Sequence, residues 1–219
     1  MSEATFGVIF DLDGVIVSTD RYHREAWQQL ADELGLPFTE EQAQATRGVD
    51  RMSSLAVVLG DHASEYSDEQ KVAFATRKNE AYKELIKKIK PTDALPGVDA
   101  LLTALAAKGI PVAIGSASKN AEPVLESLGI AKRFNAIVTG YDFKRGKPAP
   151  DVFLVAAERL GLPPSRCVVF EDAAAGVEAA HAGGMKAVGV GDPKIVSKAD
   201  AFAKDLAHIT YEKIAELMA

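Results

Sequence analysis

Near its start the chain reads Phe6-Gly7-Val8-Ile9-Phe10-Asp11-Leu12-Asp13-Gly14-Val15. The first five residues are apolar or glycine with no polar alternation, which is the pattern of a strand covered on both faces. Comparable runs recur at Pro111 to Ile114, Ala136 to Thr139, Cys167 to Phe170 and Lys186 to Val190. Between them lie helical patterns that stop at glycine: Val98 to Lys108 before Gly109, Ala121 to Leu128 before Gly129, Pro150 to Leu160 before Gly161, and Ala173 to Ala182 before Gly183-Gly184. Glycine just past the last periodic residue marks a helix end, because it adopts the left-handed conformation without steric cost. Strands alternating with helices predict an α/β fold with a doubly wound parallel sheet.

Residues 19–90 break this rhythm. Tyr22, Ala26, Leu30 and Leu34 fall on one helical face, and Gly35-Leu36-Pro37 ends the helix. Thr39 with Gln42, and Ser67 with Gln70, have capping-box spacing. A last pattern runs through Val72, Ala75, Tyr82, Leu85 and Ile89 until Pro91 stops it. The reading is an α/β catalytic core formed by residues 1–18 and 91–219, with residues 19–90 inserted as a helical cap between hinges near 16–20 and 88–95.

Composition narrows the class. The chain has 219 residues, 47% of them hydrophobic and 26% charged, which is ordinary for a soluble globular protein and excludes a disordered or fibrous one. A formal charge of −6 speaks against sequence-independent nucleic-acid binding, which needs a basic face. Cys167 is the single cysteine, so there is no disulfide scaffold. No apolar stretch approaches the roughly 18 residues of a membrane helix. Phe6 to Val17 is interrupted by Asp11 and Asp13 and lacks a basic flank, so it does not read as a signal peptide, and a cytoplasmic protein is expected.

A doubly wound sheet binds its ligand beyond the carboxyl ends of its strands. Asp11 and Asp13 follow the first strand, Ser116 the second, and Glu171 and Asp172 the fourth, while Lys147 lies in Gly146-Lys147-Pro148-Ala149-Pro150. Four carboxylates on one rim imply a bound cation, and oxygen donors favour a hard one, Mg²⁺ before Ca²⁺.

In this order and at these strand ends, Asp11-Leu12-Asp13-Gly14-Val15, Ser116, Lys147-Pro148 and Glu171-Asp172 resemble the four motifs of the haloacid dehalogenase (HAD) superfamily, whose core is Rossmann-like. The resemblance covers nearly the whole chain, including a cap after the first motif. It implies that Asp11 attacks phosphorus to form an aspartyl-phosphate and that Asp13 is the general acid and base. It implies a Mg²⁺ site made by Asp11, the Asp13 carbonyl and Asp172 with Glu171 nearby, and a phosphoryl group contacted by Ser116, Ala117 and Lys147. Tyr22-His23-x-x-Ala26-Trp27, Arg47-Gly48-Val49-Asp50-Arg51, Arg77-Lys78-Asn79 and Gly115-Ser116-Ala117-Ser118-Lys119-Asn120 resemble the β-phosphoglucomutase branch. That likeness implies sugar-phosphate substrates, β-glucose 1,6-bisphosphate as the activating intermediate and a monomer. Arg51, Ser118, Lys119 and Asn120 would hold the non-transferring phosphate, and His23 and Lys78 would couple the cap to sugar binding. One departure is Ser18, where many relatives carry Asp. Two rivals remain, a sugar-phosphate phosphatase and a non-catalytic sugar-phosphate sensor. His62, His181 and His208 are read as incidental, and Trp27 and Cys167 as packing.

Overall fold

The computed structural model describes residues 6–46 and 51–219; Arg47 to Asp50, part of the Arg47–Arg51 motif, lie outside the described residues. The chain separates into two compact units, Met1–Ser18 with Lys90–Ala219, and Thr19–Ile89.

The larger unit is built on Gly7–Phe10 (β1), Val112–Gly115 (β2), Ala136–Val138 (β3), Cys167–Glu171 (β4), Lys186–Val190 (β5) and Ala201–Ala203 (β6). All pair in parallel, in the order β3-β2-β1-β4-β5-β6. The chain therefore winds outward from β1 through β2 to β3, then returns to the other side of β1 and winds outward through β6. The crevice left at this reversal lies beyond the carboxyl end of β1. Register makes that rim level: Phe10 lies opposite both Ile114 and Phe170, so Asp11, Gly115 and Glu171 follow side by side. The sixth strand was not expected from sequence. It has three residues, and Phe202 at its centre is exposed, so it carries no apolar run to read.

The smaller unit contains Asp20–Leu34 (α1), Glu40–Ala45 (α2), Arg51–Leu59 (α3) and Asp68–Ile86 (α4). Trp27, Leu30 and Ala31 of α1 pack with Leu55, Val58 and Leu59 of α3 and with Phe74 and Ala75 of α4. Both expected capping boxes form: Gln42 N–H donates to Thr39 Oγ1 at 3.2 Å and Thr39 N–H to Gln42 Oε1 at 2.9 Å, with the same reciprocal pair between Ser67 and Gln70. The expected apolar face of α4 needs one correction. Val72 is 57% exposed, because the buried face is centred on Phe74, Ala75, Lys78, Asn79 and Tyr82 and includes two polar residues that an apolar periodicity skips. The helix also ends at Ile86, three residues short of the expected Ile89.

In the larger unit the helices are Val98–Ala107 (α5), Ala121–Ser127 (α6), Asp151–Leu160 (α7), Ala174–Ala182 (α8) and Tyr211–Leu217 (α9). The glycines after α5, α6, α7 and α8 that take positive φ are Gly109, Gly129, Gly161 and Gly184, as their positions require. Helix α7 covers β1, β2 and β3, and α8 covers β4 and β5. Ile9, Ala113, Val138, Phe153, Val169, Val177 and Ala187 form the core between them. Side chains alternate along a strand, so Phe10 points to the other face, where its ring meets Phe170 at 5.0 Å and Phe134 at 6.4 Å. Where the chain leaves and re-enters this unit, Val17 and Ala94 form an antiparallel bridge and Leu95 N–H donates to Ile16 O at 2.9 Å.

Candidate active site

Asp11 continues β1 by one residue, its N–H donating to Phe170 O at 2.9 Å, and its side chain is buried. The chain then turns back on itself: Gly14 N–H donates to Val17 O at 2.8 Å and Ile16 N–H to Leu12 O at 2.9 Å. Gly14 has φ +79°, and a Cβ there would lie 1.9 Å from Asp172 Oδ2. The turn thus passes directly beneath the Asp172 carboxylate, which only glycine permits. This brings the first and fourth motifs into contact.

Lys147 joins them. Its Nζ donates to Asp11 Oδ1 at 2.6 Å and also to Glu171 Oε1, and lies 4.8 Å from the Phe153 ring centroid. The second oxygen of Glu171 accepts from Ala173 N–H at 2.8 Å. Both oxygens of Glu171 are therefore engaged, and its work in this arrangement is to hold Lys147. Burial pushes the Asp11 carboxyl well above the usual carboxylate range; Lys147 opposes this, while Glu171 and Asp172 add to it. Burial disfavours the Lys147 ammonium, but the Asp11 and Glu171 carboxylates outweigh it and hold its pKa above the ordinary value. The lysine is charged at any working pH.

The second strand ends in the Ser116–Asn120 loop. Ser116 is buried, its N–H donating to Val138 O at 3.0 Å. Its Oγ accepts from Ser118 N–H at 3.1 Å, and Ser118 Oγ accepts from Asn120 N–H at 3.1 Å. A hydroxyl that accepts from the backbone keeps its own proton for donation. Asn120 is buried at the start of α6, whereas Ala117 and Lys119 are exposed.

In the smaller unit, Lys78 is buried with Nζ 2.8 Å from His23 Nδ1, 4.5 Å from the Trp27 ring and 5.0 Å from the Tyr82 ring. His23 stacks on Tyr82 at 4.0 Å. An ammonium can only donate, so Nδ1 is the acceptor and His23 is the neutral tautomer protonated on Nε2. Burial, then Lys78, then Arg51 lower the His23 pKa well below its ordinary value, in agreement with that assignment. Arg51 Nη2 donates to Asn79 Oδ1 at 2.8 Å.

The sequence profile of the haloacid dehalogenase-like hydrolases matches residues 7–184. The chain belongs to this family. Among its relatives, a β-phosphoglucomutase of Bacillus subtilis (strain 168) is 39% identical over 95% of this chain and 93% of its own length. A fructose-1-phosphate phosphatase of Escherichia coli (strain K12) is 36% identical over 87% of this chain and 98% of its own. The crystal structure of a β-phosphoglucomutase from Clostridium difficile superposes with a TM-score of 0.91 at 37% identity, covering 97% of this chain and 96% of that one. The family resemblance read from the motifs, and the parallel-sheet fold with its inserted helical cap, are thus both found.

The donor chemistry of this HAD core fits a hard divalent cation. Among the described residues no three His, Cys, Asp or Glu side chains converge to hold an ion by themselves. Asp172 Oδ2, however, lies against the Asp13-Gly14 turn two residues after Asp11, and carboxylate and backbone carbonyl oxygens are the donor chemistry a hard cation takes. Asp11, Glu171 and Asp172 set three carboxyl groups against one Lys147 ammonium, an imbalance that a bound cation would redress. Several contacts were not read from sequence: Phe153 beneath Lys147, the Asn79 oxygen accepting from Arg51, the Trp27 and Tyr82 rings around Lys78, and the fit of Gly176 against Glu171. A Cβ on Gly176 would lie 1.9 Å from Glu171 Cδ. Its signal was visible, since a lone glycine within the helical pattern Ala173 to Ala182 marks close packing. Cys167 is a buried thiol pushed up to about 11 by burial, unsuited to nucleophilic work at neutral pH.

Proposed function

We propose that this HAD enzyme is a β-phosphoglucomutase, interconverting β-glucose 1-phosphate and glucose 6-phosphate through phospho-Asp11 and β-glucose 1,6-bisphosphate. The observation that carries the reading is the buried Asp11–Lys147–Glu171 group at the sheet reversal, beside a loop of Ser116, Ser118 and Asn120 able to hold phosphate. The likeness to two β-phosphoglucomutases over nearly the full chain supports the choice of substrate.

Starting from phospho-Asp11, the 6-hydroxyl of β-glucose 1-phosphate attacks phosphorus, and Asp13 accepts the hydroxyl proton as the Asp11–phosphorus bond breaks. The bisphosphate turns end for end. Asp11 then attacks the phosphorus at C1, and Asp13 returns the proton to the departing C1 oxygen, giving glucose 6-phosphate and regenerating phospho-Asp11. Lys147 neutralises Asp11 and the transferring group, and Ser116 donates to an equatorial oxygen. Asp11, the Asp13 carbonyl and Asp172 would hold Mg²⁺, which supplies further neutralisation of phosphoryl charge. Arg51 is the cap's phosphate-binding residue, suited by its bidentate fork, and the His23–Lys78 pair its sugar-sensing element. Ser118, Lys119 and Asn120 bind the non-transferring phosphate on the core.

A sugar-phosphate phosphatase is the second reading, favoured by the 36% identity to the E. coli enzyme. The test is an assay of β-glucose 1-phosphate with Mg²⁺ and trace bisphosphate, following glucose 6-phosphate and free phosphate together, with the α anomer as control. The mutase gives glucose 6-phosphate from the β anomer alone; free phosphate as the main product establishes the phosphatase. Arg51→Ala cripples the mutase and leaves a phosphatase nearly untouched.

A further inference from the structure

Tyr141 is a large aromatic side chain, 73% exposed, in the turn that follows β3 at the carboxyl rim of the sheet. Exposed tyrosines are common, but this one stands on a braced turn. Asp142 Oδ2 accepts from Thr139 N–H at 2.7 Å and from Thr139 Oγ1 at 3.0 Å, and Tyr141 N–H donates to Thr139 Oγ1 at 3.3 Å. Asp142 is tied in turn to Arg159 of α7, whose Nη1 also donates to Ile137 O at 2.6 Å. The turn is locked to the phosphate loop as well. Gly140 N–H donates to Ser118 O at 3.2 Å, and a Cβ on Gly140 would lie 2.4 Å from Ala117 O, so the two backbones touch. Over the ring so presented sits the Lys119 ammonium, 5.0 Å from its centroid.

We propose that Tyr141 is a positioning residue for substrate binding, its ring holding the Lys119 ammonium over the Ser116–Asn120 loop ready for the phosphate that is not transferred. The inference rests on the assignment of Lys119 to that phosphate. A lysine side chain loses much rotamer freedom when it binds an anion, and a ring that collects it beforehand removes part of that cost. The brace from Arg159 through Asp142 and Thr139 keeps the ring in place, and the glycine at 140 brings the turn close enough to reach.

The test is a double-mutant cycle on the full chain with β-glucose 1,6-bisphosphate as the probe. Tyr141→Leu is expected to raise KM for the bisphosphate about two- to fivefold, the range for a cation over an exposed ring, with kcat unchanged. Tyr141→Phe keeps the wild-type KM. In a Lys119→Met background Tyr141→Leu has no further effect. Phosphorylation of Asp11 by acetyl phosphate, which brings no second phosphate, proceeds at the wild-type rate in Tyr141→Leu. The proposal is overturned if the Tyr141 and Lys119 effects multiply, if Tyr141→Phe fails as Tyr141→Leu does, or if acetyl phosphate turnover falls in step. Lys119→Met with an unchanged KM would overturn the phosphate assignment itself, and the role of Tyr141 with it; multiplying effects would remove Tyr141 alone.

Discussion

Replacing Lys147 with methionine keeps an unbranched side chain one atom shorter and removes its charge. Asp11 is 7% exposed and Glu171 1%, and the Lys147 ammonium bonds to both. Lys147→Met leaves two neighbouring buried carboxylates facing each other, with Glu171 keeping only its bond from Ala173 N–H of the contacts described above. Removing one partner of a buried pair costs about 3–5 kcal/mol, because the remaining charge is left uncompensated. For a chain of this size each kcal/mol moves Tm by about 2–4 °C, so the expected fall is about 6–20 °C. Urea and thermal unfolding in the presence of a chelator, followed by far-UV circular dichroism, give the number. Fluorescence is a poor probe here, since Trp27 is the one tryptophan and belongs to the smaller unit. The double variant Lys147→Met/Glu171→Gln removes one of the two stranded charges and is expected to recover part of the loss. A single variant within about 1 kcal/mol of wild type, well below the buried-pair range, would refute the reasoning. So would a double variant no more stable than the single.

Three further outcomes are expected. Gly176→Ala should reverse the usual helix preference, in which Ala exceeds Gly by about 1 kcal/mol: the new Cβ displaces Glu171, so both Tm and activity fall. A variant more stable than wild type would contradict the packing. His23 has a folded pKa below its unfolded value of about 6.5, so the unfolded chain binds the proton more readily. Its contribution to stability is complete above that unfolded value and is lost as pH falls toward the folded one. Histidine ¹⁵N NMR should show His23 still neutral and protonated on Nε2 at pH values where a free imidazole is charged; titration of His23 near its ordinary value would contradict its burial. Mg²⁺ at a hundredfold excess over Kd is expected to stabilise wild type by about 2.7 kcal/mol, read as a rise in Tm that Asp172→Ala should abolish. An undiminished rise would remove Asp172 from the metal site.

The parallel sheet was legible because its strands are apolar on both faces, and the helix ends because Gly109, Gly129, Gly161 and Gly184 each carry the conformation they advertise. The edge strand Ala201–Ala203 was not, since three residues with an exposed Phe202 leave no pattern. The face of α4 was misjudged at Val72 for a related reason. Lys78 and Asn79 are buried in contacts with His23 and Arg51, and polar residues that turn inward look in a sequence like those that turn outward. In the site, motif order gave Asp11, Ser116, Lys147 and Asp172. What the motifs could not give is the support beneath them: that Glu171 spends both oxygens on Lys147 and Ala173, or that Gly176 makes room for it.

The bridge between Val17 and Ala94 has a meaning for ancestry and engineering. Two chain segments paired in an antiparallel bridge stand about 5 Å apart, so everything between them enters and leaves through one doorway. Seventy-odd residues can then be lengthened, shortened or traded between genes without asking any strand to move, because closing the gap needs only a tight turn. Under the function proposed above, selection could rewrite which sugars are admitted while the Asp11 site is inherited unchanged. A chimera carrying a relative's insert between Val17 and Ala94 is the natural way to move substrate choice from one catalytic core to another.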